Sequence, residues 1–129
     1  MVEALVSEQL TPPKFRYSQV VKAGPHYYFS GMIALDNLSG KLVSGGVGRQ
    51  TETILENLQI LMKEFGLRWG SLAFARVFTT DFESFGEFNE AWESLFDRIE
   101  TPPPARSSVG VSDLPLGASI EIEFVFYQP

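Results

Sequence analysis

From Ser119 to Tyr127 the chain alternates with a period of two, setting Ile120, Ile122, Phe124 and Phe126 against Glu121, Glu123, Val125 and Tyr127. A strand with four large apolar residues on one face must be covered there, and its second face is only half polar. Two helical stripes can supply the cover. Between Val47 and Phe65, the residues Ile54, Leu55, Leu58, Leu61, Met62 and Phe65 recur at helical spacing, and Gly66 offers the left-handed residue that ends such a helix. Between Phe82 and Ile99, the residues Phe85, Phe88, Trp92, Leu95, Phe96 and Ile99 form a second stripe, with Asp81 or Ser84 placed to cap its start.

The remaining periodic segments read as strands. Ser18–Ala23 and His26–Ser30 flank the turn dipeptide Gly24-Pro25 and form a hairpin, which Ile33–Leu35 extends before a turn at Asp36-Asn37-Leu38-Ser39-Gly40. Leu72–Thr79 alternates Leu72, Phe74, Arg76 and Phe78 with Ala73, Ala75, Val77 and Thr79, so both of its faces are largely apolar, and Ser107–Val111 is a shorter strand. This order predicts one α+β domain spanning residues 1–129, a mixed sheet with both helices packed on one face. Two helices leave the other face bare. A second copy of the chain is the expected cover, which makes a subunit boundary the expected place for a pocket.

Composition removes much chemistry. With no cysteine and a single histidine, His26, the chain lacks thiolate nucleophiles, cysteine zinc sites and every two-histidine metal arrangement. No metal or cofactor is expected, and no phosphate cradle or Ser-His-Asp set is present. Gly45-Gly46-Val47-Gly48, opening the first helix, could hold an anion but lacks the lysine of a P-loop. The N-terminus carries acids where a secretory signal carries bases, and no apolar run is long enough to span a bilayer, so a soluble, cytoplasmic protein is expected. The net charge of -6 argues against nucleic acid as a partner. That charge is local: Asp81–Glu100 holds seven acids and one base, and Glu83, Glu87, Glu90, Glu93 and Asp97 gather on the wet side of the second helix.

Two groups stand out as candidate chemistry. Thr101-Pro102-Pro103-Pro104-Ala105-Arg106 is a stiff approach that would present the Arg106 guanidinium in one place, a planar fork matched to a carboxylate. The plainer alternative is a surface arginine paired with a helix acid. Glu121 and Glu123 share one face of a strand; they are either solvent-facing edge residues or functional groups, and Glu121 beside a polarised carbon could serve as general base to water. Tyr17, Ser30, Gly31 and Asn89 complete the candidates; Gly31 permits close approach of a ligand or marks an ordinary bulge, and His26 is expected to be exposed.

Tyr17-Ser18-Gln19, Phe29-Ser30-Gly31, Gln50-Thr51, Leu55-Glu56-Asn57-Leu58, Phe88-Asn89, Pro104-Ala105-Arg106-Ser107, Leu114-Pro115 and Ile120-Glu121-Ile122-Glu123 occur in an order and spacing that resemble the Rid family of reactive intermediate deaminases, also called YjgF-type or L-PSP proteins. The resemblance covers Phe15–Tyr127. It implies a chorismate-mutase-like α+β fold, a homotrimer with clefts between subunits, and cofactor-independent hydrolysis of enamines and imines such as 2-aminoacrylate and 2-aminocrotonate to 2-oxo acids and ammonia. It also implies that Arg106 clamps the substrate carboxylate, Glu121 serves the attacking water, and Tyr17, Ser30, Gly31, Asn89 and Ser108 line the cleft. Several positions depart from the family pattern. Phe15-Arg16 replaces Gly-Pro, Ser108 replaces a frequent cleft cysteine, Met32 stands where glutamine is common, and Phe124 and Phe126 are bulkier than usual. A noncatalytic module that binds 2-oxo acids or another protein is the alternative, with ribonuclease or translation-inhibitory activity third. Both leading readings require a guanidinium and a carboxylate from separate segments to converge on one small anion.

Overall fold

The computed structural model describes all residues from 1 to 129. Strands β1 (Glu3–Leu5), β2 (Val20–Ala23), β3 (His26–Met32), β4 (Leu72–Thr79), β5 (Ala105–Gly110) and β6 (Ile120–Tyr127) form one sheet in the order β1-β2-β3-β6-β4-β5. Helices α1 (Gly46–Phe65) and α2 (Phe85–Ile99) lie together on one face. All pairs are antiparallel except β4 with β5, whose parallel register requires a crossover, and α2 supplies it.

The period-two pattern of β6 places Ile120, Ile122, Phe124 and Phe126 under the helices, each fully buried. They meet Ile54, Leu58 and Leu61 of α1 and Phe88 and Trp92 of α2 in one continuous core. Gly66 ends α1 at φ 71°, where a side chain would be strained, and its N–H bonds back to the Met62 carbonyl. The Gly24-Pro25 hairpin is present, with Ala23 opposite His26.

Four expectations need correction. β3 continues to Met32, and the chain beyond it forms only an isolated bridge between Leu35 and Leu42. In β4 an irregularity between Leu72 and Phe74 turns Leu72 into the core with Ala75 and Val77, so strict alternation fails at that end. Neither Asp81 nor Ser84 caps α2 through its side chain, because a 3-10 turn at Phe82–Ser84 leads in and its backbone bonds occupy the leading N–H groups. His26 is half-buried between Tyr28 and Tyr127, its ring 6.0 and 5.0 Å from theirs.

Buried polar side chains of α1 fasten the segments around it. The Gln50 amide donates to the Val43 carbonyl (3.1 Å) and accepts from the Ser119 N–H (2.9 Å), while Asn57 donates to the Leu35 carbonyl (2.9 Å). These bonds hold residues 33–43 and the start of β6 in place. At the helix N-terminus the Gly48 N–H donates to the Glu87 carboxylate at 3.2 Å, so the anion there is the protein's own. The second face of the sheet is the one left bare. Tyr28, Val109 and Tyr127 are 47%, 44% and 49% exposed on it.

Candidate functional site

The cleft begins at a bulge. β3 places Phe29 opposite Phe124 and Met32 opposite Ile122, spending one extra residue, so that Ser30 and Gly31 both fall beside the open face of β6. Ser30 is tied down there. Its Oγ donates to the Ser18 carbonyl at 2.6 Å and its N–H to the Gln19 carbonyl at 2.9 Å, lashing the end of β3 to the segment that carries Tyr17. The Glu121 carboxylate lies directly on Gly31. A Cβ at that position would stand 2.6 Å from Oε2, so only glycine leaves the room.

Glu121 and Glu123 share a face but not an environment. Glu123 accepts from Arg76 at 2.8 Å, the chain's one ion pair, whereas Glu121 is half-buried with no such partner. Loss of hydration raises the Glu121 pKa above the ordinary glutamate value, and the nearby Glu123 charge raises it further. Around them a cleft of about 720 Å³ is lined by Tyr17, Ser30, Gly31, Glu121 and Glu123, by the Leu10–Phe15 segment, and by Leu116. A second hollow of about 540 Å³ between α1 and α2, rimmed by Arg49, Glu52, Glu87 and Arg98, holds none of the candidate residues.

Arg106 is elsewhere. On β5 it stands beside Ala75 of β4, which points under the helices, whereas Glu121 stands beside Phe78, three residues on and of opposite parity. Its guanidinium lies over three rings of α2, 5.1 Å from Phe88, 5.7 Å from Trp92 and 5.8 Å from Phe85. No acid pairs with it directly. Burial against the rings lowers its pKa while the Glu93 charge opposes that change; an arginine so placed remains protonated at neutral pH. The expected alternative, a surface ion pair with a helix acid, is therefore absent. Ser108, two residues along β5, shares this side, and its Oγ is buried without a hydrogen-bond partner. Asn89 follows Phe88 on α2 and is half-buried.

The candidate residues therefore fall into two groups. Tyr17, Ser30, Gly31 and Glu121 meet in the cleft, Arg106, Ser108 and Asn89 lie on the helix side of the sheet, and the two groups do not converge within one chain. Sequence reading missed the contribution of the first sixteen residues. They carry no hydrophobic period, yet Glu64 of α1 accepts from Ser7 Oγ at 2.6 Å and from the Glu8 N–H at 2.8 Å, and the chain then runs along the cleft. The Pro12-Pro13 pair, which favours an extended strap, was the available signal.

A family model described as endoribonuclease L-PSP matches residues 8–128. The chain belongs to this family. Within the L-PSP family, also known by the names Rid, YjgF and RutC, the mouse 2-iminobutanoate/2-iminopropanoate deaminase is 35% identical over 112 residues, covering 87% of this chain and 81% of the mouse protein. A RutC family protein of Sulfurisphaera tokodaii is 35% identical over 124 residues, covering 96% of this chain and 97% of its own. The crystal structure of E. coli TdcF with bound serine superposes with a TM-score of 0.90 at 28% identity, covering 98% of this chain and 99% of that one. The α+β architecture of the L-PSP family, with its six-stranded sheet and two helices, is therefore this chain's fold. Several residues on which the resemblance rested have physical reasons in this chain. Gln50 and Asn57 hold loops, Ser30 holds the Tyr17 segment, and Gly31 admits the Glu121 carboxylate. No helix is long and apolar enough to cross a membrane.

Proposed function

We propose that this protein hydrolyses 2-imino acids, formed from enamines such as 2-aminoacrylate and 2-aminocrotonate, to 2-oxo acids and ammonia, in a homotrimer whose sites lie between subunits. The reading rests on one observation. A single chain carries a glutamate without an ion-pair partner in a cleft and, on the far side of its sheet, an arginine equally without one. Stacked copies bring one chain's Arg106, Ser108 and Asn89 to the next chain's Tyr17, Ser30, Gly31 and Glu121. The bare sheet face around Tyr28, Tyr127 and Val109 gives such stacking apolar surface to bury.

In that site the Arg106 fork takes the substrate carboxylate in two parallel hydrogen bonds, which fixes the imine carbon relative to Glu121. The iminium carbon is already electrophilic. Glu121 removes a proton from water as the oxygen–carbon bond forms and the C=N electron pair moves to nitrogen. It returns that proton to the nitrogen of the resulting carbinolamine, and as the hydroxyl passes its remaining proton back to Glu121 the C=O forms, the carbon–nitrogen bond breaks and ammonia leaves. A carboxylate with raised pKa is the stronger base for that transfer. The mouse relative is named for this activity, and TdcF was solved with serine, a small molecule carrying the carboxylate that Arg106 would hold. A ribonuclease reading meets a cleft containing Glu121, Glu123 and Asp36 against Lys14, a balance that repels phosphate.

A shared site can be tested by complementation. Arg106→Ala and Glu121→Gln are each expected near background, but refolded together at equal ratio they regain about a quarter of wild-type activity, because that fraction of boundaries joins an intact Arg106 to an intact Glu121. Sedimentation should give about three times the 14.4 kDa chain mass. Background activity in the mixture, with active wild type, overturns the shared site. Wild-type turnover of 2-aminocrotonate equal to buffer overturns hydrolysis, and saturable 2-oxobutyrate binding without turnover then identifies a binding module.

Gly31→Ala separates geometry from stability. The group the new methyl would meet is the mobile end of a side chain, so the fold should lose no more than about 1 kcal/mol while Glu121 is pushed aside. Activity is expected to fall at least about tenfold with the melting temperature changed by a few degrees.

A further inference from the structure

Several polar groups lining the cleft are engaged by the fold itself. Glu123 is held by Arg76, Ser30 Oγ by the Ser18 carbonyl, and the Asp36 carboxylate by the N–H groups of Leu38 and Ser39. Glu121, over Gly31, is left to face a ligand. Thr11, Lys14, Gln19 and Asn37 also line the cleft, but much of its wall is apolar, with Leu10, Phe15, Tyr17, Met32 and Leu116 contributing to it. Two of these are costly as they stand. Phe15 is 80% exposed, and Leu116 is 58% exposed while held at φ 59°, a left-handed conformation that a leucine adopts only under strain.

In a single chain, before a neighbouring copy closes it, the cleft measures about 720 Å³, and its lining offers several apolar side chains where a methyl or ethyl group would cover one. We infer that Phe15 and Leu116 form a specificity lip, and that the preferred substrates are 2-imino acids with a branched aliphatic or aromatic side chain. This rests on the imine-hydrolase reading and adds the side-chain class to it. The carboxylate and imine carbon occupy the end defined by Gly31 and Glu121, and the side chain extends over Met32 toward Phe15 and Leu116. Each methylene buried there is worth roughly fourfold in affinity, so a partly buried isobutyl or benzyl group is favoured over methyl by about tenfold or more.

The test generates imines in situ from L-alanine, L-leucine and L-phenylalanine with an amino-acid oxidase and follows their removal in competition with semicarbazide. The expected kcat/KM for the leucine- and phenylalanine-derived imines exceeds that for the alanine-derived imine by at least about tenfold, and this ratio collapses toward one in Phe15→Gly and in Leu116→Gly. A wild-type ratio of one or less, or a ratio unmoved by both variants, overturns the inference. So does loss of the trimer in both variants, which makes the two side chains subunit contacts. Calorimetric titration with pyruvate and 4-methyl-2-oxopentanoate separates this inference from the hydrolase reading. If no imine is hydrolysed, tighter and Phe15-dependent binding of the branched acid preserves the apolar lip while hydrolysis falls; equal or absent binding removes both.

Discussion

Arg106→Lys is expected to lower kcat/KM by about a hundredfold or more and to abolish measurable 2-oxobutyrate binding, although the positive charge is retained. The reason lies in shape. The guanidinium is a flat group resting on the faces of Phe85, Phe88 and Trp92, where it keeps a fixed plane and, in the proposed trimer, presents its N–H fork to the neighbouring chain. An ammonium is smaller, cannot stack in the same way, and offers a carboxylate one point contact where the fork offers two. Losing one charge-assisted hydrogen bond of about 1.5 to 3 kcal/mol, and the orientation that goes with it, accounts for a factor of that size. Stability should hardly respond. Arg106 is exposed at its outer edge and has no ion pair, so lysine is expected to keep the melting temperature within a few degrees. Steady-state kinetics on 2-aminocrotonate, with a melting curve on the same preparation, checks both halves. Wild-type kcat/KM in Arg106→Lys would show that charge alone suffices and that the aromatic cradle has no part in positioning the fork.

Period and parity made most of the fold legible. The alternation in β6 and the one-sided stripes of α1 and α2 each specify which residues face inward, and the two patterns agree on a single buried layer. Parity fails where a strand has no alternation to read. β5 runs Ala-Arg-Ser-Ser-Val-Gly with almost every residue exposed, so nothing in its own sequence says which side Arg106 takes. Only its parallel register with β4, set by the crossover through α2, puts Arg106 on the helix side and away from Glu121. The bulge in β3 is hidden for a related reason, because one extra residue resets the count and Gly31 alone does not announce it. Phe15 and Leu116 lie in aperiodic segments, and what makes them line a cleft is the anchoring of those segments by Glu64 and Gln50, contacts more than fifty residues apart in sequence.

Glu121→Gln is expected to lower kcat by about a hundredfold to ten-thousandfold while leaving the protein as stable as wild type, or more so, at neutral pH. The first effect removes the proton acceptor for water. The second follows from the sign of the pKa shift. Loss of hydration, and secondarily the Glu123 charge, holds the folded-state pKa of Glu121 above its unfolded value, so in the interval between the two the native chain binds more protons than the unfolded one. Stability on this account falls as pH rises through that interval, beginning near the unfolded glutamate value of about 4.3, and the cost is fully present above the folded-state pKa. Glutamine carries no charge at any pH and is exempt from it. The gap in melting temperature between Glu121→Gln and wild type should therefore open as pH rises from the unfolded glutamate value through the folded-state pKa and close again in acid. Activity reports the same group from the other side. Because the base works only when ionised, the acid limb of the wild-type kcat/KM profile should lie above the ordinary glutamate range. Glu123→Gln should move that limb downward, since it deletes a repelling carboxylate and frees the Arg76 guanidinium beside it. An acid limb unmoved by Glu123→Gln, or a Glu121→Gln protein less stable than wild type at neutral pH, would mean that the carboxylate is held by favourable contacts absent from a single chain, and the raised pKa would then be lost on assembly.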